Sequence, residues 1–164
     1  MGKRWSIVLS AIAVVAMCAF IFFMSAKPAV ESDAMSMGIV DRIVRFFVPD
    51  FDQMDAATQL QTAKSIEHII RKMAHFSEYT LLGLLAMNLV RRIGRPSSTL
   101  AGAGVAWAFS TLYAVTDEVH QIFVPGRTFL VGDIFIDSGG VLTGILIFLG
   151  VSALVRRSRA HRQP

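Results

Sequence analysis

The sequence predicts an all-α, polytopic membrane protein with four transmembrane helices. Its 164 residues are 54% hydrophobic, and their mean hydropathy is +0.55. Three long apolar segments, at about 5–24, 100–119 and 134–154, each approach the roughly 20 residues that a spanning helix requires. A shorter apolar run, Phe76–Val90, begins with polar side chains, so a spanning helix there must also include upstream residues. We therefore predict the second transmembrane helix at about 68–90.

Basic residues near the predicted helices define an orientation. They precede the first helix, separate the second from the third, and follow the fourth: Lys3, Arg4, Arg91, Arg92, Arg95, Arg156, Arg157, Arg159 and Arg162. Because short cytoplasmic loops are enriched in Lys and Arg, we predict a protein of the cytoplasmic membrane with both termini cytoplasmic. All 12 carboxylates then lie on the outer side. The pI of 9.7 reflects this orientation, and we predict no nucleic-acid partner.

The first apolar segment is predicted to be an uncleaved anchor. A cleaved signal peptide is the alternative, because Lys3 and Arg4 precede an apolar core. That core is long for a signal peptide, however, and Met24-Ser25-Ala26 is a poor cleavage site with a proline close behind. The single cysteine, Cys18, excludes an intramolecular disulfide.

The long outer loop, residues 25–67, is predicted to contain an amphipathic helix. Between Met37 and Val48, one helical face carries apolar side chains, and the opposite face carries charges. Such a helix lies in the membrane interface. Pro49 ends this pattern, and Asp55 is placed to cap a helix that continues into the second transmembrane segment. We expect one domain over residues 1–164, since no repeat or linker divides the chain.

Polar side chains recur at helical spacing at the outer ends of three predicted helices. Residues three or four apart share a helix face, so each set projects to one side. The second helix carries Lys72, His75, Glu78 and Tyr79, the third carries Tyr113, Asp117, Glu118, His120 and Gln121, and the fourth carries Asp133 and Asp137. The last set continues into Gly140 and Gly144, which let another helix approach closely, within one chain or between two copies in an oligomer.

The predicted topology brings these sets to one level, because the second helix begins outside, the third ends there and the fourth begins there. Val124–Arg127 has the Pro-Gly pair of a tight turn, which would hold Arg127 over the same cavity. We therefore predict an outward-facing polar site. Its candidate ligand-binding residues are Lys72, Tyr79, Gln121, Arg127, Asp133 and Asp137, and its candidate catalytic residues are His75, Glu78, Asp117 and Glu118.

Ionisable groups in membrane helices are costly, so they pair, face water or serve function. Three interpretations remain open. In one, Lys72 and Arg127 neutralise carboxylates merely to hold the bundle together. In another, His75 and Glu78 join other outer carboxylates around a divalent metal ion. In the third, His75 is a general base that Glu78 or Asp117 orients. The two cations equally favour an anionic ligand such as phosphate. The sequence identifies no cofactor.

Two motifs with fixed spacing dominate this region. They are K-x-x-H-F-x-E-Y-x-x-L-G over 72–83 and D-E-x-x-Q-x-F-x-P-G-R over 117–127, followed by Asp133, Asp137 and Gly140. A third stretch, F-x-S-A-x-P over 23–28, follows the first helix. With these motifs the chain resembles the VanZ-like family of bacterial membrane proteins. Asp137 departs from the pattern, since many members carry Asn at that position.

The resemblance implies a bacterial cell-envelope protein linked to glycopeptide resistance, particularly to teicoplanin. Our first hypothesis is that the outward cavity binds a polar, anionic or lipid-linked envelope ligand, with Lys72 and Arg127 holding its anionic group. The alternative is a membrane-embedded hydrolase or transferase that acts on a lipid head group or lipid-linked precursor, with His75 as its base. A transporter is a third possibility, but its substrate site would lie nearer the midplane. The partners are then the lipid bilayer and an envelope ligand.

Overall fold

The computed structural model describes residues 2–94 and 96–160, which form five α-helices and a short 3-10 helix. The α-helices are α1 (Lys3–Ser25), α2 (Ala29–Phe47), α3 (Ala56–Ile93), α4 (Thr99–Gln121) and α5 (Val131–Ala160). The 3-10 helix, Phe51–Gln53, lies between α2 and α3. The all-α prediction is therefore confirmed across the described residues. Arg95 and Arg162, which contribute to the predicted orientation, lie outside them.

Of the helices in the described ranges, α1, α4 and α5 are long and apolar enough to cross a membrane. Many of their large apolar side chains point away from the bundle, as lipid contact requires; Trp5, Leu112 and Leu146 are examples. The chain is therefore a membrane protein by helix composition. The fourth predicted span, in α3, does not reach the same apolarity, because His75, Glu78 and Asn88 interrupt its apolar half.

Helix α3 packs against each of the other four helices, and its contact with α5 is the most extensive. A methyl group added to Gly140 would lie 2.5 Å from the carbonyl oxygen of Phe76, and one added to Gly144 would collide with the carbonyl of Thr80. The absence of these side chains lets the two backbones touch. The predicted small-residue face of α5 therefore packs within the chain, against α3.

The apolar core runs between α1, α3, α4 and α5. Its largest fully buried apolar members are Ile21, Tyr79, Leu82, Met87 and Val141. The Tyr113 hydroxyl on α4 donates a 2.6 Å hydrogen bond to the carbonyl of Cys18 in α1. This bond and the core contacts fix α1 in the bundle beside α3 and α4.

Helix α2 begins at Ala29, eight residues before the predicted start at Met37, and it ends at Phe47. It lies antiparallel to the first half of α3, against which it buries Val40 and Val44. A polar contact explains the earlier start: Arg71 of α3 donates to Asp33 at 2.9 Å, a contact between residues 38 positions apart. Apolar periodicity could not reveal this contact.

The predicted cap of α3 is confirmed. The Asp55 carboxylate accepts hydrogen bonds from the backbone N–H groups of Ala57 and Thr58, at 3.0 and 3.1 Å, and from the Thr58 hydroxyl at 2.6 Å. These bonds hold the Asp55 pKa below its usual value, and the bond from the Thr58 hydroxyl has the largest effect. From this cap α3 runs without interruption to Ile93, so it carries His75 and Lys72 rigidly toward α5.

Candidate functional site

The middle of α3, the end of α4, the start of α5 and the turn before α5 surround an open pocket, whose space together with the solvent at its mouth is about 530 Å³. Six of the ten predicted site residues line it: Lys72, His75, Gln121, Arg127, Asp133 and Asp137. Two other basic residues of α3, His68 and Arg71, also line the pocket. Each of the three predicted polar sets therefore contributes to one pocket, the set on α4 through Gln121 alone.

An ion pair joins α3 to α5 at the rim. The Lys72 ammonium group donates to the Asp133 carboxylate at 2.7 Å, and both side chains are about a quarter to a third exposed. A partly exposed pair of this kind contributes little to stability. It does, however, place opposite charges of two helices at one edge of the pocket and compensates the Lys72 charge within the protein.

Arg127 is held over the pocket by a turn. The turn closes through a 3.0 Å bond from the Arg127 N–H to the Val124 carbonyl, and Gly126 adopts the positive φ of 76° that the third position of a type II turn requires. The Arg127 side chain donates to the Lys27 carbonyl at 3.4 Å, and the Ala29 N–H donates to the Pro125 carbonyl at 3.1 Å. The segment between α1 and α2 thus braces the turn.

No carboxylate within the described ranges forms an ion pair with Arg127. Burial lowers its pKa, and the neighbouring charge of Arg71 lowers it further, while Asp33 and Glu67 act in the opposite sense. Since an arginine starts from a pKa above 12, the guanidinium group stays charged. It therefore presents a positive charge at the pocket without an ionic partner.

Arg71 is a basic wall residue that the sequence did not identify as part of the site. Its guanidinium group donates to Glu67 at 2.6 Å and to Asp33 at 2.9 Å. Helical spacing predicts the first partner, four residues away, but the second depends on the pairing of α2 with α3. Arg71 is therefore already compensated, unlike Arg127.

Two other predicted site residues, Asp117 and Glu118, are buried next to residues of the pocket wall but do not line the pocket themselves. Asp117 accepts a 2.8 Å hydrogen bond from the Ser25 hydroxyl, and Glu118 accepts a 2.9 Å bond from the Leu130 N–H. Ser25 lies 92 residues before Asp117 in the sequence, so helical spacing gave no reason to include it among the site residues. One oxygen of each acid remains buried without a partner in the described chain.

Asp137 is fully buried, and neither of its carboxyl oxygens has a hydrogen-bond partner among the described residues. The prediction that it faces the bundle interior is confirmed. The Gln121 amide nitrogen and His75 Nδ1 in the pocket wall are likewise buried and unpartnered, as is the Tyr79 hydroxyl outside the wall. Buried polar groups are rarely left in this state, so a cluster of them at a pocket calls for a partner from outside the chain.

His75 lies closest to Asp137 among the carboxylates. Its Nδ1 is 3.9 Å from the nearer Asp137 oxygen, which is too long for a direct hydrogen bond. A hydroxyl group between the two could bond to both. Glu78 does not line the pocket, although its charge interacts with that of Asp117. His120 also lies outside the wall, and its ring stacks on Phe22 at 4.5 Å.

Metal coordination has no support in this arrangement. Across residues 2–94 and 96–160, no three His, Cys, Asp or Glu side chains are grouped in a way that could hold a metal ion. The carboxylates of the site are spread over three helices, and the positive charges of Lys72 and Arg127 stand at the same pocket.

The model of one protein family, described as VanZ/LLP1, matches residues 10–155. The matched range contains every predicted site residue, together with Ser25 and Arg71. Neither curated proteins nor solved structures give a match to the chain.

Proposed function

The chain belongs to the VanZ/LLP1 family, and we propose that it is a four-span cell-envelope protein whose outward pocket binds a polar or anionic ligand. In this topology the apolar half of α3 is the fourth span. Basic residues at the opposite ends of the helices then place both termini in the cytoplasm and the pocket outside. An uncleaved α1 fits this proposal, because Ser25 at its end is bonded to Asp117.

The proposal also places α2 at the outer membrane surface. Its exposed apolar side chains include Ile39, Phe46 and Phe47, which are 52%, 81% and 70% exposed. Arg42 is exposed on the same helix, where it could approach lipid phosphates, whereas Arg45 is paired with Asp41 and Asp52. A helix with such a composition associates with the interface between head groups and acyl chains.

The observation that carries the ligand-binding role is the uncompensated Arg127 above buried, unpartnered Asp137. In a purely structural network, the cations would neutralise the carboxylates and the buried acceptors would be satisfied. Lys72 and Arg71 follow that pattern, since each has a carboxylate partner. Arg127 and Asp137 do not. Packing alone would hold the bundle at lower cost than a buried, unpaired carboxyl group.

In the proposed complex, Arg127 binds the anionic group of the ligand, with Lys72 beside it. Gln121 and Asp137 bond to the polar part of the ligand. The family resemblance adds a physiological expectation: the protein lowers susceptibility to teicoplanin. Glycopeptides and their cell-wall targets lie outside the cytoplasmic membrane, on the side where this topology opens the pocket.

The test is teicoplanin susceptibility of a sensitive Gram-positive host that expresses wild type, Arg127→Ala or Arg45→Ala at equal membrane levels. Arg45 is an exposed arginine of α2 remote from the pocket, so it controls for loss of a positive charge. We expect wild type and Arg45→Ala to protect and Arg127→Ala to fail. Equal protection by all three would exclude Arg127 from the function, and absence of protection by wild type would refute the resistance role.

The second candidate is an envelope hydrolase or transferase, and the approach of His75 to Asp137 is the observation that favours it. With a substrate hydroxyl or water between them, His75 could accept its proton while Arg127 stabilises negative charge that develops on a phosphate or carbonyl oxygen. This candidate requires an envelope lipid that accumulates without the protein. Wild type should clear that lipid and His75→Ala should not; equal clearance by both would refute chemistry at His75.

A further inference from the structure

The pocket contains one buried carboxyl group, that of Asp137, without a hydrogen-bond partner among the described residues. Asp137 lines the pocket and is 0% exposed, and both of its oxygens lack a partner. Two nitrogens of the pocket wall are also buried and unpartnered, the Gln121 amide and His75 Nδ1, and the latter is 3.9 Å from Asp137. Since neither nitrogen bonds to Asp137, a group that satisfies both carboxyl oxygens must bring donors of its own.

The rim has the opposite character. Among its cations, Lys72 and Arg71 are engaged by Asp133, Glu67 and Asp33. Within residues 2–94 and 96–160, the Arg127 side chain has only the Lys27 carbonyl as a hydrogen-bond partner and no ion pair. A guanidinium group without an ion pair and a buried carboxyl group without a hydrogen bond thus share one pocket.

We propose that the pocket takes a phosphate ester that carries a primary ammonium group, as in a phosphoethanolamine head group. The phosphate binds Arg127, and the ammonium donates its three N–H groups to Asp137 and its neighbours. This inference rests on the proposed ligand-binding role of the pocket and specifies the ligand's chemistry. It extends to the free ester as well as to the lipid, since both present the same groups.

A primary ammonium fits better than two related groups. A trimethylammonium has no N–H donors, and proteins that bind it surround it with aromatic rings. The pocket wall contains no Phe, Tyr or Trp among the described residues. A glycerol head group offers hydroxyl donors but no positive charge, so it lacks the Coulomb attraction that an ammonium group has for a carboxylate.

The experiment measures lipid retention by the full chain. Protein in micelles that contain equal amounts of phosphatidylethanolamine, phosphatidylcholine and phosphatidylglycerol is transferred to lipid-free detergent, and the bound lipid is counted by native mass spectrometry. We expect wild type to prefer phosphatidylethanolamine over phosphatidylcholine by about tenfold or more, the effect of one charge-assisted hydrogen bond. Asp137→Asn should reduce this preference toward unity, and Arg127→Gln should reduce retention of all three lipids.

Asp52→Asn and Arg45→Gln are the matched controls, because they remove exposed charges outside the pocket. Both should behave as wild type. Helical content by circular dichroism identifies a variant that has unfolded; if Asp137→Asn unfolds, soluble phosphoethanolamine and phosphocholine are compared as competitors on wild type. Displacement by phosphoethanolamine alone supports the proposal and shows that the head group is sufficient.

Equal retention of phosphatidylethanolamine and phosphatidylcholine by wild type would overturn the inference, as would an unchanged preference in folded Asp137→Asn. Either result leaves the proposed function intact if Arg127→Gln still loses phosphatidylglycerol. If Arg127→Gln also retains phosphatidylglycerol as wild type does, both this inference and the proposed ligand-binding function are refuted.

Discussion

Replacement of Gly140 by alanine should separate α5 from α3 and destabilise the protein. The added methyl group would lie 2.5 Å from the Phe76 carbonyl oxygen, whereas ordinary contact begins at 3.4 Å. The helices must therefore move apart by roughly 1 Å in an interior packed as densely as a crystal. Overpacking of this kind costs about 1–3 kcal/mol. For a domain of this size, the unfolding midpoint would fall by about 2–12 °C.

Cys18 provides the assay, because it is the only cysteine and lies partly buried in α1. A thiol-reactive dye reports its exposure as the purified protein is heated in detergent. Gly150→Ala is the control on the same helix, since a methyl group there meets no other atom within 4 Å. Equal midpoints for Gly140→Ala and Gly150→Ala would refute the close contact between α3 and α5.

Three further predictions concern individual hydrogen bonds. Ser25→Ala leaves a buried oxygen of Asp117 without its donor and should cost about 1–3 kcal/mol in the same thermal assay, whereas an unchanged midpoint would argue against this bond. Tyr113→Phe removes the bond to the Cys18 carbonyl and should cost about 1 kcal/mol, with earlier dye labelling; unaltered labelling would contradict it. Asp55 has a lowered pKa, so its capping contribution is present at neutral pH and is lost as pH falls through that lowered value, below the usual aspartate pKa. Hydrogen-exchange protection of the first amides of α3 should fall over that range in wild type and be low throughout in Asp55→Ala; protection that does not depend on pH in wild type would count against the cap.

Much of the fold follows from local patterns. The apolar runs of α1, α4 and α5 are strong enough to identify these helices from composition alone, and Asp55 and Gly140 have local signatures of a cap and of close packing. The sequence predicted only the second part of α2, from Met37 onward. Its start at Ala29 depends on the contact between Asp33 and Arg71, which periodicity within one helix cannot reveal.

The candidate site, too, could be predicted only where it depends on patterns within single helices. Helical spacing predicted which side chains share a face, and the topology predicted that three faces meet, as the pocket confirms for Lys72 and Asp133. Residue spacing within one helix could not predict which side chains of different helices form pairs. The sequence suggested Glu78 or Asp117 as the neighbour of His75, whereas the structure places Asp137 nearest. Ser25 was missed as a site residue because its partner lies on a different helix.

Thiol labelling shows whether the pocket opens to the outside of the cytoplasmic membrane, as proposed. A cysteine replaces either Thr128 at the pocket or Arg159 near the end of α5, each in a Cys18→Ser background. Right-side-out membrane vesicles are then treated with a membrane-impermeant thiol reagent before and after permeabilisation. If the pocket faces outward, position 128 is labelled at once and position 159 only after permeabilisation. Immediate labelling of position 159, with position 128 protected until permeabilisation, would show that the pocket faces the cytoplasm.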